Sequence, residues 1–372
     1  MIPRKPRILF IMHMPPPVHG AAMMGKYIHD SRIVNDTFEC HYMNATTAKK
    51  LEDVGKLSVR KIADIVGLAR NVKNNIQRIK PDLVYFTANS AGVPFYKDYI
   101  IMQVIKRSGT PVIVHFHNKG VATHQHRWLD NFLYHHFFKD IKVILLAETL
   151  YTDVQKYVRK ENVFFCPNGI PDENKYERQT ELTILPDSPL HLLFLSNMMA
   201  DKGVWTLLNA CQELKKKGIT FSCDFVGGWK DVTESAFNNY IKAHDLTNYV
   251  KTHGPKYEGE KISYIQKADV LILPTANECF PLVLLEAMQQ SKACIAHKEG
   301  GIPNVIDDGI TGFVVDKGNL KSLVNAIERL YNDRLLCYNM GKEGRKRFEE
   351  HFTISIFERN LTNILYQNCI KK

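Results

Sequence analysis

Glu278 and Glu286 stand eight residues apart in PTANECFPLVLLEAM, residues 274–288, directly after the apolar run 270–273. Pro281 suits an early helical position, and 282–290 is rich in strong helix formers. Glu278 then lies in a loop and Glu286 inside a helix. The amides near Phe280, Leu282 and Val283 fall in a first helical turn. Backbone N–H groups there lack helical partners, and the helix dipole favours anions. They can hold an anion or sugar hydroxyls, and each carboxylate can accept hydrogen bonds from a hydroxyl-rich ligand. Plain surface charge is the alternative for both glutamates. The apolar setting of Glu286, LVLLEAM, argues against it there, because a carboxylate in such a helix needs a partner.

Four further loops carry candidates. Lys202 lies in ADKG, just before a helix starting near Gly203, where an ammonium suits a diphosphate; by position alone a solvated turn lysine is the favoured reading. Gly300 and Gly301, in EGGIPN, permit close backbone approach, as any turn glycines do. Gly20, in PPPVHGAA, can offer amides to a phosphate or form an ordinary strand-to-helix turn, and no GxGxxG fingerprint is present. His115 and His117, in VHFHNK, share one face of an extended segment. Residues 114–136 hold six of the fifteen histidines, yet no acidic ligand shares the spacing, so core or ligand-facing histidine is favoured over metal ligation.

The elements that must position these loops come in two similar halves. Apolar strands are expected at 7–12, 38–43, 82–86, 112–116, 143–146 and 163–166. After a polar, proline-bearing linker at 171–189 they resume at 191–195, 221–226, 250–253, 270–273, 293–296 and 312–314. Helical stretches alternate with them, notably 59–79, 96–107, 203–216 and 320–331, and 335–366 reads as largely helical. Continuous apolar strands alternating with helices imply parallel sheets covered on both faces. The fold class is α/β: two Rossmann-like doubly wound domains facing each other across a cleft. The expected domains are 1–180 and 181–352, with a C-terminal helix over 353–372 that can cross back to the first. Ligands of such sheets bind beyond the carboxyl ends of the strands, where every loop above lies.

Composition agrees with this class. The chain has 372 residues, 45% of them hydrophobic and 24% charged, which excludes a disordered or collagen-like protein. No apolar run reaches the ~18 residues of a membrane span, and the N-terminus lacks a signal-peptide pattern. Eight cysteines without CxxC spacing read as reduced core thiols, and a cytoplasmic chain is expected. The net charge of +10 points to phosphate-bearing partners. Nucleic acid is the weakest of these, because no aromatic-basic motif is present. Basic residues interleaved with apolar ones at 49–80 read as a surface helix packed on the first sheet, with an anionic membrane surface as the second reading. The aromatic stretch HRWLDNFLYHHFFK, 126–139, could touch lipid or acceptor, or fill core.

Taken in order, these loops resemble the retaining glycosyltransferases of family 4, of the GT-B fold. The resemblance covers most of the chain. It rests on Glu278 and Glu286 within ADVLILPTANECFPLVLLEAM, on GGIPNVIDDGITGFVV at 300–315, and on PNGI at 167–170. It implies transfer of a sugar from a nucleotide-sugar donor to a carbohydrate or lipid-linked acceptor, with retention, without a metal and without a further cofactor. Cell-surface polysaccharide or glycolipid assembly is the implied setting. By the resemblance, Lys202 neutralises the donor diphosphate. Glu278, with the amides of Phe280 and Leu282 beside Pro281, holds the donor sugar, and Glu286 binds the ribose. Gly20 lies near the diphosphate and acceptor, and His117 contacts the transferred sugar.

One departure stands out. The family commonly has Gly-Arg where this chain has Ser196 and Asn197, so a phosphate-binding cation is missing; His19 likewise replaces the first glycine of a usual pair. Asn197 can bind phosphate as a neutral donor, another cation can compensate, or activity is weakened. A catalytically weak transferase-like subunit and a sugar-nucleotide epimerase are the alternative functions.

Overall fold

The structure is a computed structural model and describes residues 4–16, 19–45, 59–172 and 188–369; in the Val59–Ile79 helix, side chains are described from residue 63. Among the described residues, twelve strands form two sheets. The first contains β1 (Arg7–Met12), β2 (Glu39–Asn44), β3 (Leu83–Ala88), β4 (Val112–Phe116), β5 (Lys142–Leu145) and β6 (Val163–Phe165), in the order β2-β1-β3-β4-β5-β6. The second contains β7 (Leu190–Leu195), β8 (Phe221–Val226), β9 (Val250–Thr252), β10 (Val270–Leu273), β11 (Ala293–His297) and β12 (Gly312–Val315), in the order β12-β11-β10-β7-β8-β9. Every ladder is parallel. Central strands are buried on both faces, β3 and β10 throughout, which is why they read as unbroken apolar runs rather than alternating ones. Each expected strand is present, with ends moved by a residue or two.

The chain divides into two compact units, 1–168 with 354–372, and 169–353. The first core joins Ile8, Phe10, Tyr85, Ile113 and Ile144 to Phe357, Leu361 and Leu365 of the Ile354–Cys369 helix, so the chain's last helix completes the first sheet's packing. The second core is built on Leu192, Phe194, Phe225, Val270 and Ile295, with Leu207, Leu323 and Ile327 from its helices. The first unit closes at Asn168, ahead of the boundary expected at 180. Residues 173–187 of the expected linker lie outside the described residues. Its start is anchored in the second unit: Gln289 donates to the Pro171 carbonyl at 2.6 Å, and Arg345 pairs with Asp172 at 2.6 Å.

The helices differ from expectation in small ways. Lys202 ends a separate 3-10 turn, Ala200–Lys202, before the Val204–Lys216 helix. Pro281 caps the Leu282–Gln289 helix from outside, with ψ at 114°, rather than sitting in its first turn. The expected tail is two helices, Arg334–His351 and Ile354–Cys369. All eight cysteines are free thiols, most of them buried. Residues 49–58 of the basic stretch, and Pro17 and Val18 of the first loop, lie outside the described residues. The helix that follows buries Val72, Ile76 and Ile79, as a helix packed on a sheet does. The aromatic stretch divides: Tyr134, Phe137 and Phe138 are core, while Trp128, Leu129 and Phe132 are exposed.

Candidate active site

Each sheet reverses its winding once, and the candidate residues gather at those reversals. In the second sheet, β7 leads to β8 and β9 on one side, and β10 lies on its other side. The crevice beyond the carboxyl ends of β7 and β10 is the topological switch point, the usual ligand site of such sheets. Lys202 follows β7 and Glu278 follows β10. The Lys202 Nζ donates to Glu278 Oε2 at 2.8 Å and to the Asn277 carbonyl at 3.2 Å. Glu278 Oε1 accepts from the Cys279 amide at 3.0 Å. Both side chains are about four-fifths buried, at 22% and 19% exposure, so the pair is only partly screened by water.

Backbone packing presses these two loops together. Gly203 takes φ +89°, and a β-carbon there would stand 2.1 Å from the Pro274 carbonyl oxygen. Thr275, fully buried, reaches the Asp201 carbonyl at 3.1 Å through its hydroxyl and accepts from the Asn277 amide at 3.3 Å. The Ala276 amide also donates to the Asp201 carbonyl, at 2.6 Å. Asp231, on the loop after β8, receives the Ala200 amide at 3.1 Å. The Lys202 turn is therefore held from both sides. The loop after β11 closes on the same place: Gly301 donates to the Cys279 carbonyl at 2.7 Å, and the His297 ring meets the Thr275 carbonyl at 3.3 Å. Lys317, after β12, donates to Glu299 Oε2 at 2.8 Å and to the Ala276 carbonyl at 3.2 Å.

Phe280 and Pro281 are buried at the mouth of the Leu282–Gln289 helix. The amides of Phe280, Leu282 and Val283 donate to no acceptor among the described residues, so the first-turn donors are free for a ligand. Glu286 has the partner its apolar setting required: Lys261 of the Glu258–Lys267 helix, at 2.7 Å. Asn197 is exposed in the loop after β7, and its Oδ1 lies 3.5 Å from where a β-carbon on Gly228 would stand.

The remaining two candidates belong to the first unit. Gly20 opens the Gly20–Asp30 helix after β1, with His19 as its cap: the His19 ring accepts the Ala22 amide at 3.3 Å. His117 follows β4. The first sheet reverses between β1 and β3, and here too the loops converge. His13, after β1, takes part in a 3.3 Å contact with the Thr87 hydroxyl of β3, and the His115 and His117 rings lie 4.2 Å apart. His115 is fixed by the Tyr85 hydroxyl at 2.7 Å. Among the described residues, neither buried ring nitrogen of His117 makes a hydrogen bond of ordinary geometry, although the Asn168 side chain stands close enough to act on the ring. Burial, with His13 and His19 nearby, pushes the His117 pKa down to about 3; burial, with Lys97 and His19, does the same to His13. These rings are neutral at pH 7 and can each donate one hydrogen bond and accept one. Among the described residues, no three His, Cys, Asp or Glu side chains stand together as metal ligands.

Sequence reasoning missed Thr275, Lys261, Lys317 and His13. Each stands in or just after a loop or helix flanking a named candidate, but nothing in its type or spacing marks it; only the fold brings it to the site.

Residues 176–347 match the family of glycosyl transferases group 1. The capsular polysaccharide biosynthesis glycosyltransferase CapM of Staphylococcus aureus is 26% identical over 62% of this chain and 62% of its own. The amylovoran biosynthesis glycosyltransferase AmsK of Erwinia amylovora is 27% identical over 48% of this chain and 44% of its own. The chain thus spans less than two thirds of the length of these relatives. The crystal structure of Anabaena HepE in complex with UDP superposes with a TM-score of 0.73 at 14% identity, covering 97% of this chain and all of that one. The two doubly wound units have the GT-B fold, and residues 176–347 are similar to glycosyl transferases group 1.

Proposed function

We propose that the chain is a retaining, metal-independent glycosyltransferase. It moves a sugar from a nucleotide-sugar donor to a carbohydrate or lipid-linked acceptor in cell-surface polysaccharide or glycolipid biosynthesis, on the cytoplasmic side. The observation that carries this reading is the Lys202–Glu278 pair at the switch point of the second sheet, beside free helix-start amides. A diphosphate arriving there meets an ammonium and a helix N-terminus. Glu278, released from Lys202, is then free to accept from sugar hydroxyls. Glu286, with Lys261 beside it, takes the ribose.

In the reaction, the bond from the sugar's anomeric carbon to the diphosphate oxygen breaks, and the nucleoside diphosphate leaves. The acceptor hydroxyl oxygen bonds to the same carbon from the face the diphosphate leaves. Its proton passes to the departing phosphate oxygen. Negative charge grows on that phosphate, so Lys202 acts where charge develops. By the resemblance, His117 serves the transferred sugar and Gly20 the diphosphate side. Asn197 serves the phosphate as a neutral donor.

A thermal-shift panel of sugar nucleotides identifies the donor, since a ligand bound to the folded state raises its melting temperature. Release of nucleoside diphosphate that depends on an added acceptor then tests transfer. Release without any acceptor dependence, or no stabilisation by any sugar nucleotide, overturns the assignment.

A further inference from the structure

The first unit holds a cavity that the proposed transfer does not use. It lies between the Val59–Ile79 and Gly92–Arg107 helices, with a volume of about 420 Å³. Ile65, Val66 and Ala69 line one wall, and Val93, Ile100 and Val104 the other. The polar residues among its walls turn their heads away: the Tyr96 hydroxyl donates to Asp130 at 2.7 Å and the Lys97 ammonium to the Ala45 carbonyl at 2.9 Å. What faces the cavity is hydrocarbon. Val66 and Ile100 are each 44% exposed at its mouth, an exposure that costs free energy unless something apolar covers it.

The rim is cationic. Arg70 and Lys73 border the cavity, are exposed, and pair with no acid among the described residues. Their helix carries Arg60, Lys61, Arg70, Lys73 and Arg78 against the single acid Asp64. The Trp128–Phe138 helix, which packs against the Gly92–Arg107 helix, exposes Trp128 at 80% and Phe132 at 53%. A slot for an apolar chain, unpaired cations at its edge and exposed aromatic rings nearby match one partner chemically: an anionic phospholipid surface. One chain alone binds a bilayer only marginally, and the added basic patch supplies the second attraction that lasting contact needs.

We propose that this groove receives an acyl chain from an anionic phospholipid layer and holds the first unit at that surface. The inference is independent of sugar transfer, since no donor or acceptor enters it.

The test is co-sedimentation of the full chain with vesicles, without any sugar nucleotide. Vesicles of phosphatidylcholine alone are compared with a mixture containing roughly one quarter phosphatidylglycerol. The mixed vesicles bind the chain at least about tenfold more tightly, and salt weakens the binding, because two cations near an anionic surface contribute on that order. Val66→Asp with Ile100→Asp lowers binding to mixed vesicles by at least about tenfold, as does Arg70→Glu with Lys73→Glu. All four positions are exposed, so both variants keep the wild-type melting temperature, which is measured alongside. Undiminished binding of the Val66→Asp, Ile100→Asp variant overturns the proposal. So does a wild-type chain that stays in solution. A melting temperature or oligomeric state that changes in that variant while the wild type ignores vesicles shows instead that protein covers the groove.

Discussion

Gly300 lies so close under Glu278 that a β-carbon at position 300 would stand 2.2 Å from the Glu278 carbonyl oxygen. The backbone of Gly300 is also left-handed, at φ +52°. Gly300→Ala must therefore push the Glu278 loop away and adopt a strained conformation. The expected loss is about 2 kcal/mol or more of stability, read from the urea midpoint. Donor affinity falls with it, because the Glu278 carboxylate moves with its backbone. A variant with wild-type midpoint and donor affinity would show that the loops do not pack this tightly.

Lys202→Ala separates catalysis from folding. Both side chains are about four-fifths buried, so removing the ammonium leaves the Glu278 carboxylate without its partner and costs about 1–3 kcal/mol in stability, while the chain stays folded. Turnover falls by roughly 10²–10³, the scale for removing one donor aimed at developing charge. Steady-state kinetics with the donor found by thermal shift measure this. Wild-type turnover would remove Lys202 from the mechanism.

Thr275→Val tests positioning from a distance. The swap keeps the side chain's shape but deletes the buried hydroxyl that reaches the Asp201 carbonyl and the Asn277 amide. Leaving such groups without their partner costs about 1–3 kcal/mol. Because those groups flank Lys202 and Glu278, kcat falls as well, while Thr275→Ser restores much of it. Loss of stability with kcat unchanged would confine Thr275 to a structural role.

Acid weakens the first unit through its histidines. His13 and His117 hold pKa values of about 3 in the folded chain, because burial disfavours the charged ring. Unfolded, each takes up its proton near pH 6.5. Between those values the unfolded chain binds more protons, so stability rises with pH. The contribution is complete above about pH 6.5 and is lost as pH falls, by about 1.4 kcal/mol per pH unit for each ring. The melting temperature is thus lower at pH 5.5 than at 7.5, and His117→Gln narrows that gap. An unchanged gap would mean that His117 is already protonated when folded.

The sequence by itself determined the strands, because burial on both faces writes each one as a run of apolar residues that needs no partner to be recognised. Val270–Leu273 and Val112–Phe116 are where the pattern places them. It also determined which loops follow which strands, and so where Lys202, Glu278 and His117 stand along the chain. Strand order is different. Adjacent strands in these parallel sheets are joined through long crossovers, and the choice of side on which β10 returns to β7 leaves no mark in residue type. That choice alone creates the crevice in which Lys202 and Glu278 meet across 2.8 Å, though 76 residues separate them. Side-chain partners were decided there too. Lys261 reaches Glu286 from another helix, and Thr275 bonds a loop that begins far upstream. Hydrogen bonds and ion pairs act over a few ångströms of space, while sequence patterns report only the solvent or core that each residue faces, so only the folded chain could supply these contacts.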